Sequence, residues 1–289
     1  MCRLFGFRSV IPSQVHRSLL SADNALGTQS SQHPDGWGVA FYVDGSPHLT
    51  KSPSTALNDH LFHRLSGVVA SETVLAHVRK ATKGSISVLN CHPFQFGRWT
   101  FAHNGDIPTF DAVREHLLDL VAPRLRRFVL GDTDSEVCFF LFLTELEKRS
   151  ALAVEPSFAD VADALRATIA LVRDVSDAAE QRSLLTFLVT NGTTMAATAS
   201  GKELFYSTYK RRCSDRESCA SLSPECEAPT ATGRVNHFLV SSEPVLGENV
   251  WLPVEQDAIL GVDSSMRLYL FPDGKRRLPV VPALTTEPA

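Results

Sequence analysis

The order of apolar and polar positions divides the chain into strand-like, helical and again strand-like stretches. Short runs rich in β-branched or aromatic residues, bounded by Gly, Pro or Asn, predict four early strands: Arg3–Phe7, Val39–Asp44, Val74–Val78 and Trp99–His103. Between the first two, apolar residues recur on one side of a helical wheel. They predict a helix from about Gln14 to Gly27, with Gly27 as its C-terminal cap.

Two helices are expected in the middle of the chain, because each has a start signal followed by helical periodicity. Thr133 and Glu136 have the spacing of a capping box, and the apolar run Val137–Leu146 follows them. Ser157 precedes a second series, whose offsets follow one helical face: Phe158, Val161, Ala162, Leu165, Ile169 and Val172.

Strand-like runs return in the second half of the chain. Ser183–Thr190 and Thr193–Ser200 flank Asn191-Gly192, which predicts a hairpin with a type I′ turn. Three further strands are expected: Leu204–Tyr209, His237–Ser242 and Met266–Phe271. Strands, then two helices, then strands fit two sheets sandwiched between helices, in a layered α+β arrangement.

Two segments interrupt this pattern. Residues 210–233 lack apolar periodicity and are rich in Ser, Cys and charge, which predicts a flexible surface loop. Residues 276–289 are rich in Pro and Thr and predict a poorly ordered tail. We therefore expect one domain over residues 2–275, with the 210–233 loop inserted in it; the length of 289 residues fits one large domain.

Composition and charge exclude several classes of protein. The chain has 28 Lys and Arg against 32 Asp and Glu, a formal charge of −4, which argues against a nucleic-acid binder. No apolar run approaches the ~20 residues of a membrane helix, so no membrane association is expected. The N-terminus lacks the pattern of a secretory signal, and the six cysteines are irregularly spaced. Free thiols in a reducing cytoplasm are therefore predicted.

Cys2 is the first residue whose position suggests chemistry. If Met1 is removed, Cys2 carries a thiol, with an ordinary pKa of about 8.5, and a free α-amine, with a pKa of about 7.7–8.0. The amine can then act as the base for its own side chain, as in other N-terminal nucleophiles. The alternative is a cysteine that merely stands second. A retained Met1 would turn the amine into an amide and remove the base.

Two predicted strand ends carry polar groups suited to a substrate. Arg79 could hold a carboxylate through two parallel hydrogen bonds, although a surface ion pair is the commoner fate of an arginine. Asn104-Gly105 follows the strand that ends at His103. It is either a tight turn or an oxyanion hole, in which the Asn104 side-chain amide and the Gly105 N–H face a developing negative charge.

Asp134 also has two interpretations, and both can hold at once. It is a favourable anion in the first turn of a helix, or a carboxylate that binds a substrate ammonium group, with Asp132 as the nearby competitor. His92 could be a ligand or a base, but a structural histidine is the favoured interpretation, because no second histidine stands at metal-ligand spacing. Three further cysteines are interpreted as loop thiols and not as a zinc site, because they lack the C-x2-C spacing of such a site: Cys213, Cys219 and Cys226.

Taken together, the motifs are more specific than any one alone. In chain order they are Cys2-Arg-Leu-Phe-Gly, Asp35-Gly-Trp-Gly38, His77-Val-Arg-Lys-Ala-Thr82, Asn90-Cys-His-Pro93, His103-Asn-Gly105 and Thr133-Asp-Ser-Glu136. The chain so arranged resembles a class II glutamine amidotransferase of the N-terminal-nucleophile hydrolase superfamily. Residues 237–244 and Trp251 resemble its stand-alone branch, which includes the γ-glutamyl amidohydrolases of ergothioneine biosynthesis and a subunit of a glutathione-degrading complex. The resemblance covers about residues 2–272.

The resemblance implies a four-layer αββα sandwich and a role for each matching residue. Cys2 is the nucleophile and its amine the base, and Asn104 with Gly105 forms the oxyanion hole. Arg79 binds the α-carboxylate of glutamine and Asp134 binds its α-ammonium group. Thr82 lines the same pocket. Better-known members have Trp after the arginine and His-Gly after the threonine, whereas this chain has Lys80 and Lys83-Gly84, so the pocket rim is expected to differ.

The expected reaction is hydrolysis of a γ-glutamyl amide through a Cys2 thioester, which releases glutamate and either ammonia or an amine. Neither a metal nor an organic cofactor is expected. The expected partner is a small-molecule substrate, with a separate ammonia-accepting or regulatory subunit as a hypothesis. Two alternatives stay open: a hydrolase specific for a larger γ-glutamyl amide, and a catalytically silent γ-glutamyl-binding regulatory subunit.

Overall fold

Two antiparallel sheets face each other at the centre of the fold. The computed structural model describes residues 2–14, 17–22, 24–178 and 181–272, and within these ranges one sheet has seven strands and the other six. The predicted tail, residues 276–289, lies outside the described residues. So do residues 273–275, the last three of the expected domain. None of the helices in the described ranges is both long and apolar enough to cross a bilayer.

The first strand of the chain lies in the middle of the seven-stranded sheet. In spatial order its strands are β11 (Leu252–Pro253), β9 (Phe205–Ser207), β10 (His237–Ser241), β1 (Arg3–Gln14), β4 (Ala70–Val78), β2 (Trp37–Val43) and β3 (Ser46–Ser52). Arg3 pairs with Val78 across the β1–β4 ladder. The start of β1 therefore lies beside the end of β4, where Arg79 follows.

The six-stranded sheet is built mainly from the second half of the chain. In spatial order its strands are β13 (Leu268–Phe271), β12 (Ile259–Val262), β8 (Met195–Thr198), β7 (Leu184–Thr190), β6 (Trp99–Asp106) and β5 (Phe94–Phe96). Asn104 and Gly105 pair with Thr186 and Leu185 inside the β6–β7 ladder. These two residues are thus part of a strand and do not form the tight turn that Asn-Gly suggests.

Helices cover the outer face of each sheet. They are α1 (Leu26–Gln29), α2 (His60–Val68), α3 (Phe110–Leu120), α4 (Pro123–Arg126), α5 (Asp134–Glu147) and α6 (Phe158–Ser176). Leu26 of α1 and Phe62 of α2 share a buried cluster with Phe5 of β1. The helices α3, α5 and α6 share another cluster with β6 and β7.

Alternation along β1 separates the two apolar layers of the seven-stranded sheet. Leu4 lies in a cluster between the sheets, together with Leu75, Ala102 and Leu188, whereas Phe5 belongs to the cluster beneath α1 and α2. This is the two-residue period of a strand that is buried on both faces. Helix, sheet, sheet and helix follow one another, which confirms the predicted αββα sandwich.

The predicted helices in the middle of the chain are confirmed, with their caps. The Thr133 hydroxyl accepts a hydrogen bond from the Glu136 N–H at 3.2 Å, and Ser157 accepts one from the Asp160 N–H at 3.1 Å. The Glu136 carboxylate does not complete the capping box, because it accepts hydrogen bonds from the N–H groups of Leu130 and Gly131 instead. All but one residue of α5 are buried, because α5 packs against β6 on one side and against α3 and α6 on others.

The predicted helix over Gln14–Gly27 is wrong. β1 continues to Gln14 and pairs with β4 beyond an irregularity between Arg8 and Ser13. A π-helical turn, Arg17–Ser21, and the one-turn α1 follow it, and Val15 lies outside the described residues. The apolar period nevertheless marked burial correctly, because Leu19, Ala22 and Leu26 all lie in the cluster under the sheet.

The predicted hairpin exists, but its turn type differs. Among the hairpin's central residues, only Gly192 has a positive φ, at 97°, whereas a type I′ turn needs two such residues. A longer loop joins β7 and β8, held by the Asn191 side-chain oxygen, which accepts hydrogen bonds from the N–H groups of Thr193 and Thr194. The pattern did not predict α2, α3, α4, β3, β5, β11 or β12.

The 210–233 segment contains a single 3₁₀ turn, Pro224–Cys226, and otherwise no regular helix or strand. Its first residue is joined to this turn by a hydrogen bond from the Lys210 N–H to the Cys226 carbonyl at 2.9 Å. The three cysteines of this segment are free thiols, as are the other cysteines of the chain. The flexibility of the segment stays a prediction.

Candidate active site

Cys2 lies immediately before β1, at the edge of the space between the two sheets. It is buried, and its sulfur lies 3.4 Å from the Lys80 amide nitrogen and 3.5 Å from the Lys80 carbonyl oxygen. Burial raises the pKa of the Cys2 thiol, and the Lys80 backbone contact and the Arg79 charge partly oppose that rise. The thiol is thus kept protonated unless a base removes its proton.

The motif from Asp35 to Gly38 holds the strand end that touches Cys2. The Asp35 carboxylate accepts a hydrogen bond from the Ala81 N–H at 2.8 Å, and the Asp35 N–H donates to the Arg79 carbonyl at 3.1 Å. The Arg79 N–H in turn donates to the Gly36 carbonyl at 2.7 Å. Gly36 has a φ of 131°, so the turn depends on glycine. This motif therefore positions Arg79 and Lys80.

Arg79 is 2% exposed and forms no ion pair with a carboxylate in the described part of the chain. Its guanidinium donates hydrogen bonds to three carbonyl oxygens of the loop after β4: Lys83 at 2.7 Å, Ser85 at 3.0 Å and Gly84 at 3.4 Å. The surface ion pair considered for this residue is therefore wrong. A buried cation with only neutral acceptors favours the approach of an anion.

Asn104 is linked to the strand that follows Cys2 through Ser242, a residue that was not singled out as a site residue. The Asn104 amide donates to the Ser242 hydroxyl oxygen at 3.3 Å, and the same oxygen accepts a hydrogen bond from the Leu4 N–H at 2.9 Å. Ser242 lies within the motif of residues 237–244, so the sequence did contain a signal for it.

Gly105 is required by the close approach of β7. A Cβ atom at this position would overlap the Leu184 carbonyl oxygen and the His103 ring. Any larger residue would therefore push β6 away from its neighbour and move Asn104 with it. The sequence Asn104-Gly105 thus reflects a close strand contact next to a polar side chain.

Asp134 and Asp132 have different surroundings. Asp134 is the first residue of α5 and is 3% exposed, and its carboxylate accepts hydrogen bonds from the Ile107 N–H at 2.9 Å and the Ser135 hydroxyl at 3.1 Å. Asp132 is exposed and accepts a hydrogen bond from the Asn90 side chain. Only Asp134 acts on the Cys2 thiol, whose pKa it raises.

The loop after β4 carries the remaining predicted pocket residue. Thr82 is exposed, and its side chain forms no hydrogen bond to any described residue. Lys83 reaches across to α3, where its ammonium lies 3.3 Å from the Pro108 carbonyl oxygen and 3.4 Å from the Asp111 carboxylate. Lys80 is exposed. The departures at Lys80 and Lys83 therefore lie on the rim, outside the buried group of Cys2, Arg79 and Asp134.

Three buried histidines lie close to this group. The rings of His77 and His92 are 4.1 Å apart, and burial lowers the pKa of His77 to about 3 and that of His92 well below its ordinary value. His103 contacts the Ser135 hydroxyl at 2.9 Å and the Leu184 carbonyl at 2.8 Å. His92 therefore has the surroundings of a core residue, as predicted.

The arrangement joins a thiol, a buried guanidinium, a buried carboxylate and a side-chain amide. Within the described ranges, no three His, Cys, Asp or Glu side chains are close enough to hold a metal ion. The opposite charges of Arg79 and Asp134 suit an amino-acid head group, which itself carries both charges. The thiol and the amide donor suit attack on a carbonyl carbon.

Comparison with known proteins finds one matching family model and several relatives. The model of the class-II glutamine amidotransferases matches residues 1–219. The Saccharomyces cerevisiae protein named probable glutamine amidotransferase DUG3 is 32% identical over 225 residues, which cover 68% of this chain and 62% of that protein. The Mycobacterium tuberculosis γ-glutamyl-hercynylcysteine sulfoxide hydrolase is 30% identical over 216 residues, which cover 71% of this chain and 78% of that protein.

Other relatives are longer than the matched region. The chain spans 66% of the Escherichia coli putative glutamine amidotransferase YafJ, with 30% identity over 177 residues, which are 57% of this chain. Among solved structures, a glutamine aminotransferase class-II domain protein from Silicibacter pomeroyi aligns with a TM-score of 0.62 and 20% identity, covering 93% of this chain and 98% of that one. This likeness supports the fold.

Proposed function

The chain belongs to the class II glutamine amidotransferases, enzymes of the N-terminal-nucleophile type, and we propose that it hydrolyses the γ-amide of a γ-glutamyl compound through a thioester on Cys2. The observation that carries the proposal is a buried guanidinium, Arg79, and a buried carboxylate, Asp134, near the buried Cys2 sulfur. Arg79 lowers the pKa of this thiol and Asp134 raises it, so both charges act on the same sulfur. We propose that one domain over residues 2–275 carries this activity.

The two buried charges would orient the substrate. A γ-glutamyl amide has an α-carboxylate, an α-ammonium group and a γ-carbonyl. With the carboxylate on Arg79 and the ammonium on Asp134, the carbonyl points toward the Cys2 sulfur, and the attack becomes effectively intramolecular. The loop that carries Thr82 and the Lys83 carbonyl borders the carboxylate end. A substrate carboxylate would accept hydrogen bonds from the Arg79 guanidinium, as the carbonyl oxygens of this loop already do.

The reaction proceeds in two steps that use this chain's groups and water. The free α-amine of Cys2 takes the thiol proton, and the sulfur attacks the γ-carbonyl while the Asn104 amide and the Gly105 N–H stabilise the oxyanion. The C–N bond breaks as the ammonium returns its proton to the leaving nitrogen. Water, activated by the same amine, then cleaves the thioester and releases glutamate.

This mechanism requires that Met1 is absent from the working enzyme. Burial raises the pKa of the Cys2 thiol, so the sulfur depends on a base, and an amide nitrogen cannot serve as one. The test combines intact-mass measurement of the N-terminus with a glutamate-release assay on glutamine and several γ-glutamyl amides. Release by a chain that retains Met1, or undiminished release after Cys2→Ala, would contradict the proposal.

A separate ammonia-accepting or regulatory subunit stays a proposal. Relatives that are longer include the Methanocaldococcus jannaschii amidophosphoribosyltransferase, of which this chain matches 31% at 29% identity. If ammonia passes to a partner, mixing the two proteins should give glutamine-dependent synthesis. The absence of such synthesis with each candidate partner would leave a plain hydrolase.

A further inference from the structure

A small polar cavity lies next to the start of β1. It has a volume of about 240 Å³, and each of the eight described residues that line it has a polar side chain. Arg3 and Glu243 form an ion pair at this cavity, and their side chains are 23% and 40% exposed. Amide side chains, including those of Gln29 and Gln32, and the His33 ring line the rest. We call this cavity the Arg3 pocket.

The Arg3 pocket lies beside the nucleophile but on the other side of its strand. The Arg3 guanidinium donates a hydrogen bond to the Cys2 carbonyl at 3.4 Å. Because side chains alternate along a strand, Arg3 shares the outer face with Phe5, whereas Cys2 shares the inner face with Leu4. The pocket and the Arg79–Asp134 pair therefore lie on opposite sides of the chain end.

Two polar atoms of the residues that line the pocket have no hydrogen-bond partner among the described residues. They are the Nε of Arg3 and the Nδ1 of His33, and both are shielded from solvent. His33 is 4% exposed and precedes Asp35, which holds the strand end at Ala81. Solvent does not reach either atom, so the groups that face the cavity are the remaining polar atoms of these side chains and of their neighbours.

The side on which the leaving group departs relates this pocket to the substrate. The Cys2 ammonium gives its proton to the leaving nitrogen, so the leaving group must lie on the side of the Cys2 backbone. The glutamate part occupies the opposite side, at Arg79 and Asp134. A leaving group larger than ammonia would therefore extend toward Arg3.

The size and charge of the pocket indicate what it could bind. Ammonia is close to water in size, and a water molecule accounts for about 30 Å³ of liquid volume, so the pocket is several times larger than ammonia needs. Its guanidinium matches a carboxylate, and its amide side chains match peptide or amino-acid polar groups.

We propose that the Arg3 pocket is the leaving-group subsite, and that the substrate is a γ-glutamyl derivative of an amino acid or dipeptide whose carboxylate binds Arg3. This inference rests on the proposed function and deepens it. The half-exposed Glu243 is the group that the substrate carboxylate displaces from Arg3. The released products are then glutamate and a free amino acid or dipeptide.

The test compares two substrates that differ only in one charge. We expect the wild-type enzyme to hydrolyse γ-glutamylglycine with a kcat/KM about 10- to 100-fold higher than that for γ-glutamylglycinamide, the range of a charge-assisted hydrogen bond. Arg3→Gln should bring this ratio close to one. Arg114→Gln is the matched control, because Arg114 also pairs with a glutamate but lies on α3, and it should keep the wild-type ratio.

The outcomes separate the inference from the proposed function. Equal rates for the two substrates with the wild-type enzyme would overturn the subsite, and this result does not depend on whether Arg3→Gln folds. A ratio that survives Arg3→Gln would also overturn it. If glutamate is released from none of the γ-glutamyl compounds by a chain without Met1, the proposed function fails, and the inference fails with it.

Discussion

Cys2 has two unlike surroundings, one on each side of the chain end. On the inner side, Arg79, Asp134 and Asn104 are at most 3% exposed, and each is tied by hydrogen bonds to the backbone or to a buried hydroxyl group. On the outer side, the Arg3–Glu243 pair is partly exposed. A buried charge held at one position suits a constant part of a substrate, because it cannot adjust. A partly exposed pair can exchange partners at little cost, which suits a part that differs between substrates.

The largest effect should come from the residue that both surroundings share. Cys2→Ala removes the nucleophile, so we expect glutamate release to fall at least about 10³-fold for every substrate, whatever its leaving group. Cys219→Ala is the control, since Cys219 is a half-buried thiol in the 210–233 segment, and its rate should match that of the wild type. Single-turnover measurement of glutamate release distinguishes the two. Substantial residual turnover by Cys2→Ala would mean that another group attacks.

Asn104 tests whether the inner side acts on the transition state. Its side-chain amide is the expected donor to the oxyanion, and loss of one such donor typically costs about 10²–10³-fold in kcat. Asn104→Ala should therefore lower kcat for glutamine and for larger γ-glutamyl amides by the same factor, with little change in KM. Circular dichroism and thermal unfolding provide the folding control, because the residue also contacts Ser242. An effect confined to KM would assign Asn104 to ground-state binding.

Asp134 and Asp132 offer a matched pair on the inner side. Asp134→Asn keeps an oxygen for the Ile107 N–H but loses the charge that would bind the substrate ammonium. We expect kcat/KM to fall about 10- to 100-fold, the range of a charge-assisted hydrogen bond. Asp132→Asn, whose carboxylate contacts the Asn90 loop, should change kcat/KM no more than about threefold. Equal losses from both variants would show that neither carboxylate binds the substrate, and that both act only by holding the loop and the helix in place.

The sequence predicted best what local signals determine. The caps at Thr133 and Ser157 and the periods that follow them were sufficient for α5 and α6, because these helices begin with their own hydrogen bonds and bury their own apolar residues. The pattern failed where distant partners decide. β1 continues to Gln14 because β4 pairs with it, and α2 buries only Phe62 and Ser66, too few for a periodic signal.

The candidate site shows the same division. Cys2, Arg79, Asn104 and Asp134 were proposed from motifs, and the structure brings Arg79 and Asp134 into electrostatic contact with Cys2. The Asn-Gly pair is ambiguous from sequence alone, because only the close approach of β7 at Leu184 explains the glycine. The bridge from Ser242 to Leu4 and Asn104 joins residues far apart in the chain. Local propensity carries no information about such a contact.

The smallest expected effect concerns stability, and it tests the burial of the outer side. Burial lowers the pKa of His33 to about 4, below the value of about 6.5 in an unfolded chain. Between these two pH values only the unfolded state binds the proton, so the free energy of unfolding should fall as the pH falls from 6.5 toward 4.

His33→Gln should therefore flatten the pH dependence of urea unfolding between pH 6.5 and 4.5. The other histidines whose pKa burial lowers should keep the rest of the slope in that variant, because they bind protons on unfolding over the same window: His77, His92 and His237. His60→Gln is the control, since His60 is exposed on α2, and its curve should follow the wild type. An unchanged slope in His33→Gln would mean that the imidazole is protonated in the folded chain. The Arg3 pocket would then hold a second cation beside Arg3, and a substrate carboxylate would be bound by both.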